Sequence, residues 1–247
     1  MCELFAMSAG QHYTAQDYLP LFADKARANM SGWGIGFFRE GQVHIEKSCE
    51  GIYAGGHVHD SFQRLARVIG SRIIISHIRC PKAGHQQESQ AQPLTDYFLE
   101  HHWLFSFTGE TKGGLNYDSP RPLMAEPLQA ARVFEFVRDG MEAHLTGQAG
   151  KSLYQALALT CKQLISQYPG EYALVLANET VLFVFLNHGE IRTYHPPEAL
   201  GDILVLTTVA GGLTRDPEHW VAYPNQELQR GQILIISGAD LLYLGQV

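Results

Sequence analysis

Short runs of β-branched and aromatic residues, bounded by glycine, proline and polar clusters, dominate the first half of the chain. Such runs are typical of β-strands. They predict five strands, at Glu3–Ser8, Trp33–Arg39, Gln42–Lys47, Arg72–His77 and Trp103–Phe107. Gly41 lies between the second and third runs and accepts the positive φ of a tight turn, so these two strands are predicted to form an antiparallel hairpin.

Helical periodicity follows in the middle of the chain. Apolar residues at three- and four-residue steps predict helices at about Leu128–Leu145 and Ser152–Tyr168. Pro169 and Gly170 end the second of them. A shorter helix is expected at Asp60–Val68.

A second block of strands completes the pattern. It comprises Tyr172–Ala177, Val181–Leu186, Ile191–Tyr194, Ile203–Thr208, Ile233–Ser237 and Leu241–Leu244. Strands, then two adjacent helices, then strands favour an α+β fold with sheets packed face to face and helices outside, rather than alternating βαβ units. No linker divides the chain, so residues 1–247 are expected to form a single domain. The polar loop Pro81–Pro93 is expected to flank the functional site.

Composition and charge exclude several function classes. The 247 residues are 45% apolar and 17% charged, which is typical of a soluble globular protein. A net charge of −7 argues against nucleic-acid partners and anionic membranes. We find no signal peptide and no membrane span. Four widely spaced cysteines without a C-x-x-C motif indicate a reducing compartment, so a cytoplasmic location is expected.

Histidine clusters invite a metal interpretation. His57-Val58-His59-Asp60 and His101-His102 each supply two neighbouring imidazoles. A metal site needs three or four ligands, and Gly55-Gly56 before the first cluster indicates an exposed turn. No metal site is predicted.

Cys2 is the residue that points most directly to chemistry. Removal of Met1 would give it a free α-amino group, whose pKa near 8 suits it to take the proton of the neighbouring thiol. Cys2 would then be a nucleophile that needs no histidine. Its position alone equally fits a small buried residue opening a strand.

Three further segments favour the nucleophile interpretation of Cys2. They are Ser31-Gly32-Trp33-Gly34-Ile35-Gly36, Ser76-His77-Ile78-Arg79, and Leu213-Thr214 with Glu218-His219-Trp220 and Pro224. Together with Cys2, their order and spacing resemble the class II glutamine amidotransferases, which belong to the N-terminal-nucleophile hydrolase superfamily. The resemblance is closest to the small stand-alone members. It implies a four-layer αββα sandwich, with Cys2 between the open ends of the sheets, and no cofactor.

The resemblance also assigns site residues. It implies that Cys2 is the nucleophile and that Arg79 holds the substrate carboxylate, for which a guanidinium offers two parallel charge-assisted hydrogen bonds. Trp33, Gly34, Cys80 and Glu110 are expected to complete the substrate-binding set. The family's His-Asn-Gly corresponds to Phe107-Thr108-Gly109, so Gly109 keeps the backbone oxyanion donor and Thr108 stands in for the asparagine. Loss of one oxyanion donor typically costs about 100- to 1000-fold in rate.

Other positions depart from the family pattern. Met124 occupies the place of the aspartate that binds the substrate α-amino group, and a thioether cannot pair with an ammonium; Glu126 or Asp118 is the alternative. Ser31 replaces a common aspartate. Gln90-Ala91-Gln92-Pro93-Leu94 replaces Asn-x-His-Pro-Phe.

Two hypotheses therefore stand. In the first, the protein is an amide hydrolase or amidotransferase that attacks glutamine or another γ-glutamyl carboxamide through Cys2 and forms a thioester. Its partners would be that small amide, and an ammonia-accepting protein or a second copy of the chain. In the second, it is a degenerate member that binds a small ligand or a protein without turnover. If the thiols of Cys2 and Cys80 meet, they are also candidates for a redox pair.

Overall fold

Many strands of this chain are apolar on both faces, so each sheet must be covered on both sides. In Leu182–Leu186 and Ile203–Thr207 every residue is buried. A strand of this kind needs cover on both sides, which a sheet receives when it packs on a second sheet and under helices. The computed structural model describes residues 2–26, 31–80, 88–146, 150–187, 189–197, 202–214, 217–223 and 231–247.

The first sheet has seven strands, numbered here in chain order. Across the sheet they are β13 (Val221–Tyr223), β11 (Ile191–Tyr194), β12 (Ile203–Thr207), β1 (Glu3–Thr14), β6 (Gly70–Ile78), β2 (Trp33–Arg39) and β3 (Gln42–Ser48). Helices α1 (Leu19–Lys25) and α2 (Asp60–Val68) cover its outer face. The N-terminal strand β1 lies in the middle of this sheet, between β12 and β6.

The second sheet has six strands. Across the sheet they are β15 (Asp240–Gln246), β14 (Gln232–Ser237), β10 (Leu182–Leu186), β9 (Gly170–Ala177), β8 (His101–Thr111) and β7 (Leu94–Phe98). Helices α3 (Gln129–Thr146) and α4 (Leu153–Gln167) cover its outer face. Ser152 caps α4, because its hydroxyl accepts the Gln155 N–H and the Gln155 side chain accepts the Ser152 N–H.

Three apolar clusters hold the layers together. One outer cluster lies between the first sheet and α1 and α2, a second lies between the second sheet and α3 and α4, and an inner cluster lies between the sheets. Every pairing within the two sheets is antiparallel over the described strands. The α+β, four-layer αββα fold predicted from the sequence is confirmed.

Several elements differ from the sequence-based prediction. The chain adds α1, the edge strands β7 and β13, and a small hairpin of β4 (Tyr53–Ala54) and β5 (His57–Val58). Gly55 and Gly56 form the turn of that hairpin with positive φ. Strand β1 continues to Thr14, beyond the predicted end at Ser8, across an irregularity in its pairing with β6. Most of the loop Pro81–Pro93 lies outside the described residues, as does Pro224.

The histidine clusters contact acidic side chains and aromatic rings. His59 Nε2 lies 2.5 Å from Glu50 Oε2, and the His101 ring packs edge-on against Trp103. Within the described ranges, no three His, Cys, Asp or Glu side chains come together closely enough to ligate a metal ion. Among the described helices, none combines the length and hydropathy that a bilayer span requires.

Candidate active site

Cys2 lies at the end of the sandwich where β1 begins. Leu4 and Ala6 belong to the inner cluster, and alternation along the strand turns Cys2 to the same side, toward the second sheet. The thiol is half-buried, and its Sγ accepts the Cys80 backbone N–H at 3.3 Å. Glu3 is paired with Ile78 in β6, so the Cys80 amide reaches the sulfur just past the end of that pairing.

Two threonines fasten the start of β1. Thr207 Oγ1 donates to the Leu4 carbonyl at 2.9 Å, and Thr208 Oγ1 accepts the Leu4 N–H at 2.9 Å. Thr208 also donates to Glu3 Oε2 at 2.7 Å. These bonds fix the strand that carries Cys2, and no sequence signal singled out either threonine.

The surroundings of Cys2 both raise and lower the pKa of its thiol. Burial raises the pKa of the thiol above its ordinary value, and the Cys80 N–H and the Arg79 guanidinium oppose that rise. The rise prevails, so the thiol form dominates at neutral pH. A nearby base is therefore needed to produce the thiolate.

Thr108 meets Cys2 across the gap between the sheets. Its Oγ1 donates to the Cys2 carbonyl at 2.9 Å, which uses the only proton of the hydroxyl. In this arrangement Thr108 holds the backbone of Cys2 and has no proton left for an oxyanion. The hydroxyl expected to complete the oxyanion hole contacts the backbone of Cys2 in this structure, and its role as an oxyanion donor stays a prediction.

Gly109 follows Thr108 in β8. Its φ of 104° lies in the left-handed region, and a Cβ at this position would collide with the Glu171 carbonyl, so only glycine fits. Phe107 turns its N–H and C=O toward Gln92, beyond the end of β7. Glu110, which follows Gly109, is exposed.

Arg79 and His77 approach Cys2 from β6. Arg79 is half-buried just past the end of the strand, where its N–H donates to the Gly32 carbonyl at 2.9 Å. Among the described residues, no carboxylate forms an ion pair with its guanidinium. His77 is 2% exposed, and burial, reinforced by Arg79, lowers the pKa of its imidazole to about 3. His77 is therefore neutral at physiological pH.

Two expected substrate-binding residues are placed differently. The inner face of Gly34 is filled, because a Cβ there would collide with the Gln92 carbonyl. Trp33 points to the opposite side of β2, into the outer cluster of the first sheet, where its ring packs edge-on against Phe62 at 5.2 Å. Trp33 is 3% exposed and does not line the gap that holds Cys2. The expectation for Trp33 is corrected, because the tryptophan is core; Gly34 permits close backbone approach, and its role in substrate binding stays a prediction.

Gln92 is a site residue that the sequence interpretation missed. Its side-chain oxygen accepts the Phe107 N–H at 2.6 Å, and its amide nitrogen donates to the Phe107 carbonyl at 3.1 Å. The side-chain amide of Gln92 thus makes the two hydrogen bonds that a neighbouring strand would make to β8, immediately before Thr108 and Gly109. Its place where the family has histidine was the one available signal, and it did not reveal this role.

The segment between β8 and α3 packs on the outside of the second sheet. Met124 packs against the outer cluster of that sheet, and the Leu123 N–H donates to buried Glu135 Oε1 at 2.7 Å. Asp118 is 94% exposed with its carboxylate 3.7 Å from Arg132, and Glu126 is exposed. No contact of the described residues joins Asp118 or Glu126 to Cys2.

Two surface cavities lie away from Cys2. One of about 220 Å³ is lined by residues that include Lys112, Asn187 and Val247. The other, of about 360 Å³, is lined by residues that include Tyr97 and His102. Neither is lined by Cys2, Arg79 or Gly109, so the chemistry, rather than cavity size, identifies the candidate site.

Similar structures share this fold at low sequence identity. A predicted glutamine amidotransferase from Pseudomonas aeruginosa is 15% identical with a TM-score of 0.66, and the match covers 98% of this chain and 100% of that one. A glutamine aminotransferase class-II domain protein from Silicibacter pomeroyi is 12% identical with a TM-score of 0.58, covering 98% of each chain. No curated protein sequence matches the chain.

A larger enzyme also contains this fold. Glutamine phosphoribosylpyrophosphate amidotransferase from B. subtilis is 14% identical with a TM-score of 0.62, and the match covers 99% of this chain. The chain spans about half of that enzyme, 49% of its length.

The family assignment rests on the sequence itself. The family model for class II glutamine amidotransferases matches residues 1–199, which include Cys2, Arg79 and Gly109. This is well over half of the chain. The chain therefore belongs to the class II glutamine amidotransferases.

Proposed function

We propose that this protein is an amide hydrolase of the class II glutamine amidotransferase type, with Cys2, freed by removal of Met1, as its nucleophile. Its substrate class is glutamine or another γ-glutamyl carboxamide. The observation that carries the proposal is the position of Cys2 at the mouth of the gap between the sheets, with Arg79, Thr108 and the Cys80 N–H around it.

The proposed reaction begins when the α-amino group takes the proton of the Cys2 thiol. The sulfur attacks the carboxamide carbon, and the Gly109 N–H stabilises the tetrahedral oxyanion. The C–N bond then breaks, the amine leaves with the proton, and a thioester remains for water to hydrolyse. Arg79 is proposed to hold the α-carboxylate of the substrate in this sequence.

The raised pKa of the thiol means that a base must take its proton before Cys2 can attack. Burial disfavours the thiolate, and neutral His77 is not a cationic partner that would stabilise it. A base covalently attached to the same residue takes the proton without help from another side chain. Residues 1–247 are proposed to act as one domain, since β12 to β15 lie beyond the matched region yet complete both sheets.

A second candidate function is ligand or protein binding without turnover. It is favoured by Thr108, whose proton is engaged by the Cys2 carbonyl, and by Met124, which packs into the outer cluster of the second sheet. Half of the oxyanion hole and the amine-binding acid are then missing. As part of the enzyme proposal, we also propose a cytoplasmic location and a partner that accepts the ammonia.

The test is an ammonia-release assay on glutamine and a panel of γ-glutamyl amides, using protein whose mass shows loss of Met1. Cys2→Ala should abolish turnover, and Cys49→Ala, which changes another half-buried cysteine, should not. Turnover by Cys2→Ala at the wild-type rate, or none by processed wild type on any substrate, would contradict the enzyme proposal. Binding of glutamine by a protein with no turnover would favour the second candidate.

A further inference from the structure

We propose that Cys2 and Cys80 form a reversible disulfide when the protein meets hydrogen peroxide or another hydroperoxide. This would be a redox modification site beyond the amide chemistry. Formation of the bond requires only the two thiols. Its effect on turnover rests on the proposed function, because the disulfide would occupy the nucleophile.

The contact between the two residues is already close. The Cys80 nitrogen is 3.3 Å from Cys2 Sγ, so the Cys80 Cα is one covalent bond away from an atom that touches the sulfur. The pairing of Glu3 with Ile78 puts Cys2 across from Arg79, so Cys80 lies diagonally from Cys2, two residues past the end of β6. Cys80 has the alternation of outward-facing Ile78, so the disulfide requires Cys80, which lies outside the strand pairing, to turn its side chain toward the Cys2 sulfur.

The four cysteines differ in their ability to react. Cys2 and Cys80 are free and half-buried, so a small peroxide can reach them. Cys161 is fully buried, so a peroxide cannot reach its thiol. Cys49 is also free and half-buried, but it follows β3, and strand β2 separates β3 from β6. Cys49 is therefore a matched control for Cys80.

The proposed chemistry balances with peroxide as the two-electron oxidant. The Cys2 thiolate attacks one peroxide oxygen, the O–O bond breaks, and the products are a sulfenic acid and a hydroxide that becomes water. The Cys80 sulfur then attacks the sulfenic sulfur. The S–S bond forms, the S–O bond breaks, and the oxygen leaves as a second water with the Cys80 proton. A thiol reductant reverses the bond by exchange.

The test treats the folded full-length protein with hydrogen peroxide, blocks the remaining thiols, digests the protein and analyses the peptides by mass spectrometry. We expect a Cys2–Cys80 peptide that lacks two hydrogens and disappears with dithiothreitol. Cys49→Ser should leave this peptide unchanged. Cys80→Ser should abolish it and drive Cys2 to the sulfinic acid, which dithiothreitol does not reverse.

The mass readout separates this inference from the proposed function. A cross-linked peptide from a protein that turns over no amide would support the disulfide and contradict the enzyme proposal. Folded wild type that gives only a Cys2 sulfinic acid, or a Cys2–Cys49 cross-link, would overturn the disulfide. Because wild type alone decides the result, a folding defect in Cys80→Ser does not affect the conclusion.

Discussion

At the scale of single residues, the contact between Thr108 and Cys2 is the feature with the clearest catalytic consequence. The hydroxyl joins the second sheet to the backbone of the candidate nucleophile, 2.9 Å from the Cys2 carbonyl. A hydrogen bond to a half-buried carbonyl contributes about 1 kcal/mol, and loss of position at a reacting group lowers rate as well. Thr108 is thus a positioning residue.

Thr108→Val and Thr108→Ser test this role. Valine keeps the shape but removes the donor, so kcat/KM should fall about tenfold, mainly in kcat. Serine keeps the donor and should stay within about threefold of wild type. Kinetics of ammonia release on the best substrate would measure both. Equal kcat for Thr108→Val and wild type would show that the contact does not position Cys2.

At the scale of elements, β2 approaches the chain before β7 closely enough to exclude a methyl group. Gly34→Ala would drive its Cβ into the Gln92 carbonyl, and overpacking of this kind costs about 1–3 kcal/mol. Gly70 in the same sheet offers a matched control, since its Cβ would lie 3.7 Å from Thr14 in ordinary contact. Urea unfolding should show a loss for Gly34→Ala and none for Gly70→Ala.

Helix α3 is joined to β7 and to the segment before it by a buried arginine. Arg138 contacts Asp139 at 2.7 Å and Asp96 at 2.8 Å, and it also donates to Ser119 Oγ and the Arg121 carbonyl. Burial would lower the pKa of Arg138, but the two carboxylates raise it above its ordinary value. This network holds the segment that carries Met124 on the outside of the second sheet.

Removal of this arginine should be costly. Arg138→Met leaves Asp139 without its cation and Asp96 with only the longer pair to Arg121 at 3.8 Å, and it should lower the free energy of unfolding by about 3–5 kcal/mol. Arg121→Met is the comparison, because the Arg121 side chain is half exposed and makes only a surface pair with Glu142 at 3.2 Å and a longer one with Asp96 at 3.8 Å. Its loss should cost less than about 1 kcal/mol. Equal losses in chemical denaturation would contradict a special role for the buried network.

The elements whose bounds the sequence predicted correctly have clear start and stop signals. Trp33–Arg39 and Asp60–Val68 were predicted with their observed bounds, because a turn or a cap stands at the ends of each. Strand β7 (Leu94–Phe98) was missed because it is an edge strand that contains polar residues and follows a polar loop. Helix α1 has only seven residues, too few for a clear periodicity.

The candidate site was less predictable than the fold. Cys2, Thr108 and Arg79 come together because the strand order places the ends of β1, β8 and β6 at one edge of the sandwich. The family resemblance predicted this arrangement. The sequence did not reveal the hydrogen-bond partner of each side chain. Thr108 bonds to the Cys2 carbonyl, and Gln92 bonds to the Phe107 backbone, because folding brings together groups more than ten residues apart.

At the scale of the whole molecule, one buried histidine links folding to pH. His77 lies between the sheets with Arg79 beside it, and its pKa of about 3 is well below the value of 6.5 in the unfolded chain. Below pH 6.5 the unfolded chain binds a proton that the folded protein does not, so stability falls as pH falls toward 3. Glu3 acts in the opposite sense, because its pKa is raised by burial.

This linkage predicts a loss of about 2 kcal/mol in the free energy of unfolding between pH 7 and pH 5, arising from His77 alone. Other groups also titrate, so the comparison is with His77→Gln, which keeps a polar side chain but has no proton to bind. The wild-type loss should exceed the variant loss by about that amount in urea titrations at the two pH values. Parallel curves for the two proteins, or an imidazolium NMR signal from folded His77 at pH 5, would mean that His77 is charged in the sandwich and that the sheets do not exclude water there.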